Sequence, residues 1–243
     1  LVSRVFSDTQ QIFYYLFSHS LSFLSSENEK FLRIPSLIFS SISLITFFKL
    51  IENQKGVSLA MAATLLLLIQ PSFSFLSTFA RPYSLLIMLV VINFYSLLRE
   101  EKWSFHISFA LIAWTHYLGL FYIIPLFIVM LFIKRETFKL FFNSTKIGIH
   151  LILALNVLIL LIFQFKTSGE SISWVRPLGF FDSVLFIPES YLKVKTLSNL
   201  EKAFLLLIFS IPLIHCLLRK NLMAWTWLVM SSLMIVTSVF IHP

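Results

Sequence analysis

The residues of this chain that could do chemistry are few, and they stand beside apolar segments. Asp8 is the only Asp before Asp182, and it precedes the largely apolar segment Gln11–Leu24. Its carboxylate could take a proton from a nucleophile or bind a metal ion. The same position suits an N-cap, whose side-chain oxygen accepts a hydrogen bond from the first turn of a helix. Asp8 is therefore a candidate catalytic residue with a structural alternative.

Arg81, in Ala-Arg-Pro-Tyr between two apolar runs, is a candidate phosphate ligand. A guanidinium group can bind a phosphate through two parallel hydrogen bonds. An Arg at this position could equally anchor a helix end by extending its charge to the membrane surface, and Pro82 suits the first turn of the following helix. Arg33, in Leu-Arg-Ile-Pro-Ser, has the same two readings, of which the anchor is favoured.

Two histidines at the ends of apolar segments are candidates for lining a binding cavity. His116 is followed by Tyr117, and His19 lies one helical turn after Tyr15. A His at a membrane interface is also commonly a hydrogen-bonded anchor, so both readings stay open. Three other histidines have no partner at metal-ligand spacing and are interpreted as structural: His106, His150 and His215.

The composition favours lipid as the solvent of this chain. Hydrophobic residues make up 58% of its 243 positions, charged residues 12%, and the mean hydropathy is +0.90. A soluble domain carries about 25% charged residues. The net charge of +8 is spread over short clusters between apolar runs, which is typical of membrane topology and argues against a nucleic-acid partner. A single Cys, Cys216, excludes an internal disulfide.

The apolar runs predict an all-α, polytopic membrane helix bundle. A helix of about 20 residues crosses the hydrocarbon core, and about eight runs approach that length. They are Ile34–Ile51, Val57–Leu76, Pro82–Leu98, Trp103–Leu118, Gly119–Ile133, Ile147–Phe165, Ala203–Leu218 and Leu222–Ile241. Gln11–Leu24, with polar residues on one helical face, is predicted to lie at the membrane interface, with a short transmembrane helix as the alternative. Residues 1–243 are thus expected to form a single transmembrane domain, with 166–202 as an outer loop.

The distribution of charge predicts which side of the membrane each loop faces. Outside 166–202, most Lys and Arg residues fall in the tight turns on one side, which is therefore the cytoplasmic side under the positive-inside tendency. Most carboxylates fall on the opposite side, together with Asp8, Arg81 and His116. An active face is accordingly expected on the outer side of the membrane.

Several segments, in order along the chain, resemble the motifs of a known protein family. The segment that begins at Asp8 resembles the family's opening, which continues through a Tyr-Tyr pair, a His, Ser-Glu and Leu-Arg-x-Pro-Ser. The matching residues there are Asp8, Tyr14, Tyr15, His19, Glu29, Leu32, Arg33, Pro35 and Ser36. Further similar stretches are QPSFSFLSTFARPYSLL, WTHYLGLF and SWVRP. The family comprises the GT-C-fold transferases related to protein O-mannosyltransferases and aminoarabinose transferases.

This resemblance implies a function at the outer face of a bacterial inner membrane. Such a protein moves a sugar from a polyprenyl-phosphate donor to an acceptor glycan, lipid or protein. The resemblance makes Asp8 the candidate catalytic residue, with a divalent cation as an open possibility. The implied substrate-binding residues are Arg81, Tyr14, Tyr15, His19, Arg33, Tyr83, His116, Tyr117 and Trp174. It also implies a fragment that lacks the family's first transmembrane helix and its C-terminal part.

Two other functions stay open at this point. Phe79 stands where many members of the family carry an acid, so the chain could be a catalytically degenerate, lipid-binding scaffold. A flippase or transporter is the other alternative. The predicted spans carry no Asp, Glu, Lys or Arg near their centres, and ion-coupled transport usually requires one. The sequence therefore favours the transferase over the transporter.

Overall fold

A computed structural model describes residues 29–78, 81–116 and 119–142, together with positions 214, 217–218, 221, 225–226 and 228–229. This part of the chain is helical and contains no strand, which confirms the all-α class for the described residues. Its helices are α1 (Glu29–Lys55), α2 (Val57–Ile69), α3 (Pro71–Thr78), α4 (Tyr83–Leu98), α5 (Lys102–Thr115), α6 (Leu120–Phe132) and α7 (Arg135–Phe141). The predicted interfacial helix, the outer loop 166–202 and the predicted span Ile147–Phe165 lie outside the described residues.

α1 is the one helix of the described part that is long and apolar enough to cross a membrane, over Arg33–Lys55. Its buried side carries small polar residues, Ser36, Ser40 and Ser43. Its exposed side carries large apolar residues: Ile34, Leu37, Ile38, Ile42 and Ile45. Small residues between helices and large apolar residues outside are the arrangement expected of a helix that faces lipid. Three other apolar helices, α2, α4 and α6, are shorter, at 13, 16 and 13 residues.

The predicted span Val57–Leu76 is wrong as a single helix, because the chain breaks at Gln70. α2 ends at Ile69, and Gln70 adopts φ −64° and ψ 123°, an extended conformation. α3 then begins at Pro71. The proline ring disfavours a helical conformation at the residue before it, whereas proline itself suits the first position of a helix. The apolar run is continuous in composition, but the Gln-Pro step divides it.

A glycine makes the sharp connection between α1 and α2. Gly56 has φ 86° and ψ 168°, a region of backbone space that is essentially restricted to glycine. Its N–H donates to the Glu52 carbonyl (3.0 Å), and its own carbonyl accepts from the Ala60 N–H (3.1 Å). Ala60 is fully buried where α1 and α2 pack together. The turn therefore folds α2 back along α1.

α4 and α5 form an antiparallel hairpin joined by residues 99–101. The Glu101 N–H donates to the Ser96 carbonyl (2.9 Å), and Glu100 lies in the left-handed region with φ 59°. This is a helix C-terminal turn that satisfies the last carbonyls of α4. α1 also packs against α4. The hairpin consequently places the beginning of α4 and the end of α5 at the same end of the helix pair.

The chain divides into two compact units, of which the first comprises Leu1–Leu120 and Gly148–Ser171. The second comprises Phe121–Ile147 and Ile172–Pro243, and its described part is mainly α6 and α7. α7 was not predicted from the sequence, where its basic residues were interpreted as part of a tight turn. It follows α6 almost without a loop, since only Ile133 and Lys134 separate the two helices. The prediction of a single transmembrane domain over 1–243 stays a prediction.

Candidate functional site

The predicted site residues divide into those the structure describes and those it does not. Arg33, Arg81, Tyr83 and His116 are described. The others lie outside the described residues: Asp8, Tyr14, Tyr15, His19, Tyr117 and Trp174. The described candidates belong to three different predicted motifs, so their spatial relation is informative.

Tyr83 and His116 lie against each other. Their ring centroids are 5.2 Å apart and the ring planes are inclined by 42°. Tyr83 is the first residue of α4, and His116 directly follows the last residue of α5. The hairpin brings these two positions to one end of the α4–α5 pair, although they are distant in the sequence. The structure thereby joins the Ala-Arg-Pro-Tyr and Trp-Thr-His-Tyr segments.

Local backbone geometry fixes the position of His116. It adopts an extended conformation, with φ −163° and ψ 145°, which ends α5. Its carbonyl accepts a hydrogen bond from the Gly119 N–H at 2.8 Å. A Cβ atom at Gly119 would lie 2.5 Å from the Ile112 carbonyl oxygen, so only glycine permits this close approach. The His116 side chain is 1% exposed and is therefore part of the packed interior of this unit.

Arg81 lies at the N-terminal end of α4, next to the Tyr83–His116 pair. It is exposed, and Pro82 between it and the helix is buried. The first hydrogen bond of the helix runs from the Leu86 N–H to the Pro82 carbonyl (2.9 Å), so the N–H groups before Leu86 have no acceptor within the helix. The first turn of α4 has no acidic residue and no side-chain cap.

This end of α4 favours an anion. The partial positive charge of a helix N-terminus and a guanidinium group both stabilise a phosphate. Ser84 adds a hydroxyl that is 1% exposed and that has no hydrogen-bond partner within the described structure. Ser84 lies within the family-like stretch QPSFSFLSTFARPYSLL, but it was not among the predicted substrate-binding residues. A buried hydroxyl is a donor that a bound group could use.

Arg33 lies on α1, on its exposed side and two residues before the buried Pro35. This position fits the predicted anchor as well as a ligand contact. The structure joins Tyr83 with His116 by direct ring contact and places Arg81 beside them in the chain. Arg33 belongs to a different helix.

A second polar cluster, which sequence reasoning missed, lies between α4 and α5. The Asn93 Nδ2 donates to the Phe105 carbonyl and to Ser108 Oγ, each at 2.9 Å. The Ser96 hydroxyl donates to Ser104 Oγ at 2.7 Å. These hydrogen bonds run between α4 and α5, so the cluster joins the two helices. We name it the Asn93 cluster: Asn93, Ser96, Ser104 and Ser108.

Within the described residues, no group of three or more His, Cys, Asp or Glu side chains could hold a metal ion. The expected divalent cation depends on Asp8, which lies outside those residues, and so stays an expectation. No protein-family model matches this sequence, and comparison with curated proteins and with solved structures gave no match. The family resemblance therefore depends on the segments quoted above.

Proposed function

We propose that this chain is part of a membrane glycosyltransferase that moves a sugar from a polyprenyl-phosphate donor to an acceptor at the outer face of a bacterial inner membrane. One observation carries the proposal: Tyr83 and His116, from two separate family-like segments, meet at one end of the α4–α5 hairpin, and Arg81 lies two residues before Tyr83. Residues that bind a common substrate must come together in this way. The acceptor is a glycan, a lipid or a protein.

The chemistry assigns different tasks to these residues. The acceptor oxygen or nitrogen attacks the anomeric carbon of the donor sugar, and the bond from that carbon to the phosphate oxygen breaks. The Asp8 carboxylate takes the acceptor's proton. Arg81 and the N-terminal N–H groups of α4 stabilise the negative charge that develops on the departing polyprenyl phosphate. Tyr83, which is half-buried, lies beside that phosphate, and the buried His116 packs against the Tyr83 ring and holds it in place.

The same proposal places the protein in the membrane with multiple spans. α1 has the length and composition of a membrane helix, and its large apolar residues face outward. The outward apolar residues of α2, among them Leu65, Leu66 and Ile69, extend this surface. Lipid contact accounts for such an apolar exterior, whereas water would oppose it. The donor's polyprenyl tail, in this proposal, lies between helices that open toward the bilayer.

The test is transfer activity of the full-length protein with charge-neutralising variants at both ends of α4. Arg81→Gln removes a charge-assisted hydrogen bond to phosphate, which contributes about 1.5–3 kcal/mol. We therefore expect kcat/KM for the polyprenyl-phosphate sugar to fall about 10- to 100-fold. Arg99→Gln is the matched control, because Arg99 is also exposed but caps the opposite end of the same helix. Equal activity of the two variants would refute the role of Arg81.

A second candidate function is a lipid-binding scaffold without catalysis, and Phe79 is the observation that favours it. Phe79 occupies the position at which many members of the resembling family carry an acid. The two functions differ in one measurement. A scaffold binds polyprenyl phosphate and loses that binding in Arg81→Gln, yet it releases no free polyprenyl phosphate from the sugar donor. A transferase binds polyprenyl phosphate in the same way and also releases free polyprenyl phosphate from the sugar donor.

A further inference from the structure

The junction of α6 and α7 combines three features that no part of the proposed transfer reaction uses. The first is a row of exposed apolar side chains along α6. Ile124, Ile128 and Phe132 are 43%, 37% and 66% exposed, respectively. They follow one another at intervals of four residues, so they lie in one line along the helix. Such a row matches the acyl chains of a lipid that lies alongside the helix.

The second feature is a basic cluster where this row ends. Lys134, Arg135 and Lys139 follow Phe132 within two helical turns, and Arg135 and Lys139 are exposed. Glu136 is the one acid of α7, and its carboxylate pairs with Lys139 Nζ at 3.1 Å. The cluster therefore keeps a net positive charge directly beyond an apolar row. Positive charge directly beside an apolar surface complements the anionic headgroup of a lipid whose acyl chains cover that surface.

The third feature is the rigid placement of α7. Phe138 and Phe142 stack on each other with centroids 5.2 Å apart, and both lie edge-on to Phe127 of α6 at 5.3 and 5.4 Å. The Val129 carbonyl accepts from both the Ile133 and the Lys134 N–H, which ends α6 sharply. The phenylalanines therefore hold α7 against α6, while Arg135 and Lys139 stay exposed.

We propose that the α6–α7 junction is a binding site for an anionic phospholipid, whose phosphate contacts Lys134, Arg135 and Lys139 and whose acyl chains lie along Ile124, Ile128 and Phe132. The charge of the cluster selects an anionic headgroup over a zwitterionic one. The adjacent apolar row selects a whole lipid over a soluble phosphate. This site uses none of the residues of the proposed sugar-transfer site, and it requires only that the protein lies in a membrane.

The experiment uses the full-length protein in detergent micelles with a photoactivatable phosphatidylglycerol, followed by peptide mapping of the cross-link. We expect labelling within residues 120–142, and we expect competition by unlabelled phosphatidylglycerol. Phosphatidylcholine with the same acyl chains and glycerol 3-phosphate should compete poorly. The triple variant Lys134→Gln, Arg135→Gln, Lys139→Gln should weaken the competition, by about fivefold for each base removed.

Two further variants distinguish charge recognition from a general change in the protein. Glu136→Gln frees Lys139 from its pairing partner, so it should strengthen phosphatidylglycerol binding. The matched control is Lys49→Gln, Lys55→Gln, Lys102→Gln, which removes the same charge at exposed positions elsewhere and should leave labelling of 120–142 unchanged. Equal labelling by a phosphatidylcholine probe, or unchanged labelling in the triple variant at the junction, would overturn the proposal.

Discussion

Replacing Asn93 by Ala removes the amide that joins α4 to α5. The side chain is fully buried, and its Nδ2 makes two hydrogen bonds to α5, each at 2.9 Å. The Phe105 carbonyl keeps a partner after the substitution, because Ser108 Oγ also donates to it at 3.0 Å. The change therefore removes two interhelical bonds without leaving that carbonyl unsatisfied.

The expected loss of unfolding free energy follows from these contacts. Interhelical hydrogen bonds in membrane proteins average about 0.6 kcal/mol, and those in soluble proteins reach about 1.5 kcal/mol. Two such bonds, with a small cavity from the shortened side chain, give about 1–3 kcal/mol for Asn93→Ala. The measurement is reversible unfolding of the purified protein in mixed micelles, followed by circular dichroism.

A double-mutant cycle with Ser108→Ala isolates the Asn93–Ser108 bond, for which we expect a coupling of about 0.6–1.5 kcal/mol. Asn53→Ala is the matched control, because Asn53 is an exposed residue on α1. Its effect should stay within about 0.5 kcal/mol. The reasoning is refuted if Asn93→Ala costs no more than Asn53→Ala, or if the coupling is zero.

Three further variants test the backbone features that position the helices. Gly119→Ala should cost about 1–3 kcal/mol of unfolding free energy, because the added Cβ would lie 2.5 Å from the Ile112 carbonyl oxygen and a packed backbone must shift. Gly56→Ala should cost a similar amount, about 1–3 kcal/mol, through backbone strain alone, because no atom lies within 4 Å of its Cβ position. A neutral result for either variant contradicts the corresponding geometry. Pro71→Ala should let α2 and α3 join, which would appear as slower amide exchange at Ser72 and Phe73, because their N–H groups would then have acceptors within one continuous helix; unchanged exchange there would show that proline does not cause the break.

Composition and apolar periodicity were sufficient to predict where most described helices lie. The runs Ile34–Ile51, Pro82–Leu98, Trp103–Leu118 and Gly119–Ile133 correspond to α1, α4, α5 and α6, because each run is largely apolar. The break at Gln70–Pro71 was missed because hydropathy is averaged over many residues and is insensitive to the backbone conformation of a single residue. α7 was missed because its seven residues carry three charges and resemble a turn in the sequence. Phe138 and Phe142 pack against Phe127 of α6, and no pattern in the sequence indicates that contact.

The site was only partly predictable, for a related reason. His116 and Tyr83 were proposed separately from their own segments, and no single-sequence pattern fixes which residues meet across a hairpin. The Asn93 cluster shows the same limit. Asn93 is the one amide within the apolar segment of α4, but its partners on α5 follow from the register of the two helices. Composition alone indicates a polar contact on α4, whereas the pairing of Asn93 with its partners on α5 required the structure.

We propose that this chain belongs to a polyprenyl-phosphate sugar transferase in which Asp8 is the base. The most direct measurement uses the full-length protein in proteoliposomes with a radiolabelled polyprenyl-phosphate sugar and a membrane extract as the source of acceptor. We predict that the wild-type protein transfers the label and releases polyprenyl phosphate, and that Asp8→Asn lowers transfer about 100-fold or more while the protein stays folded. Absence of transfer by the wild-type protein, or equal transfer by Asp8→Asn, would contradict the account.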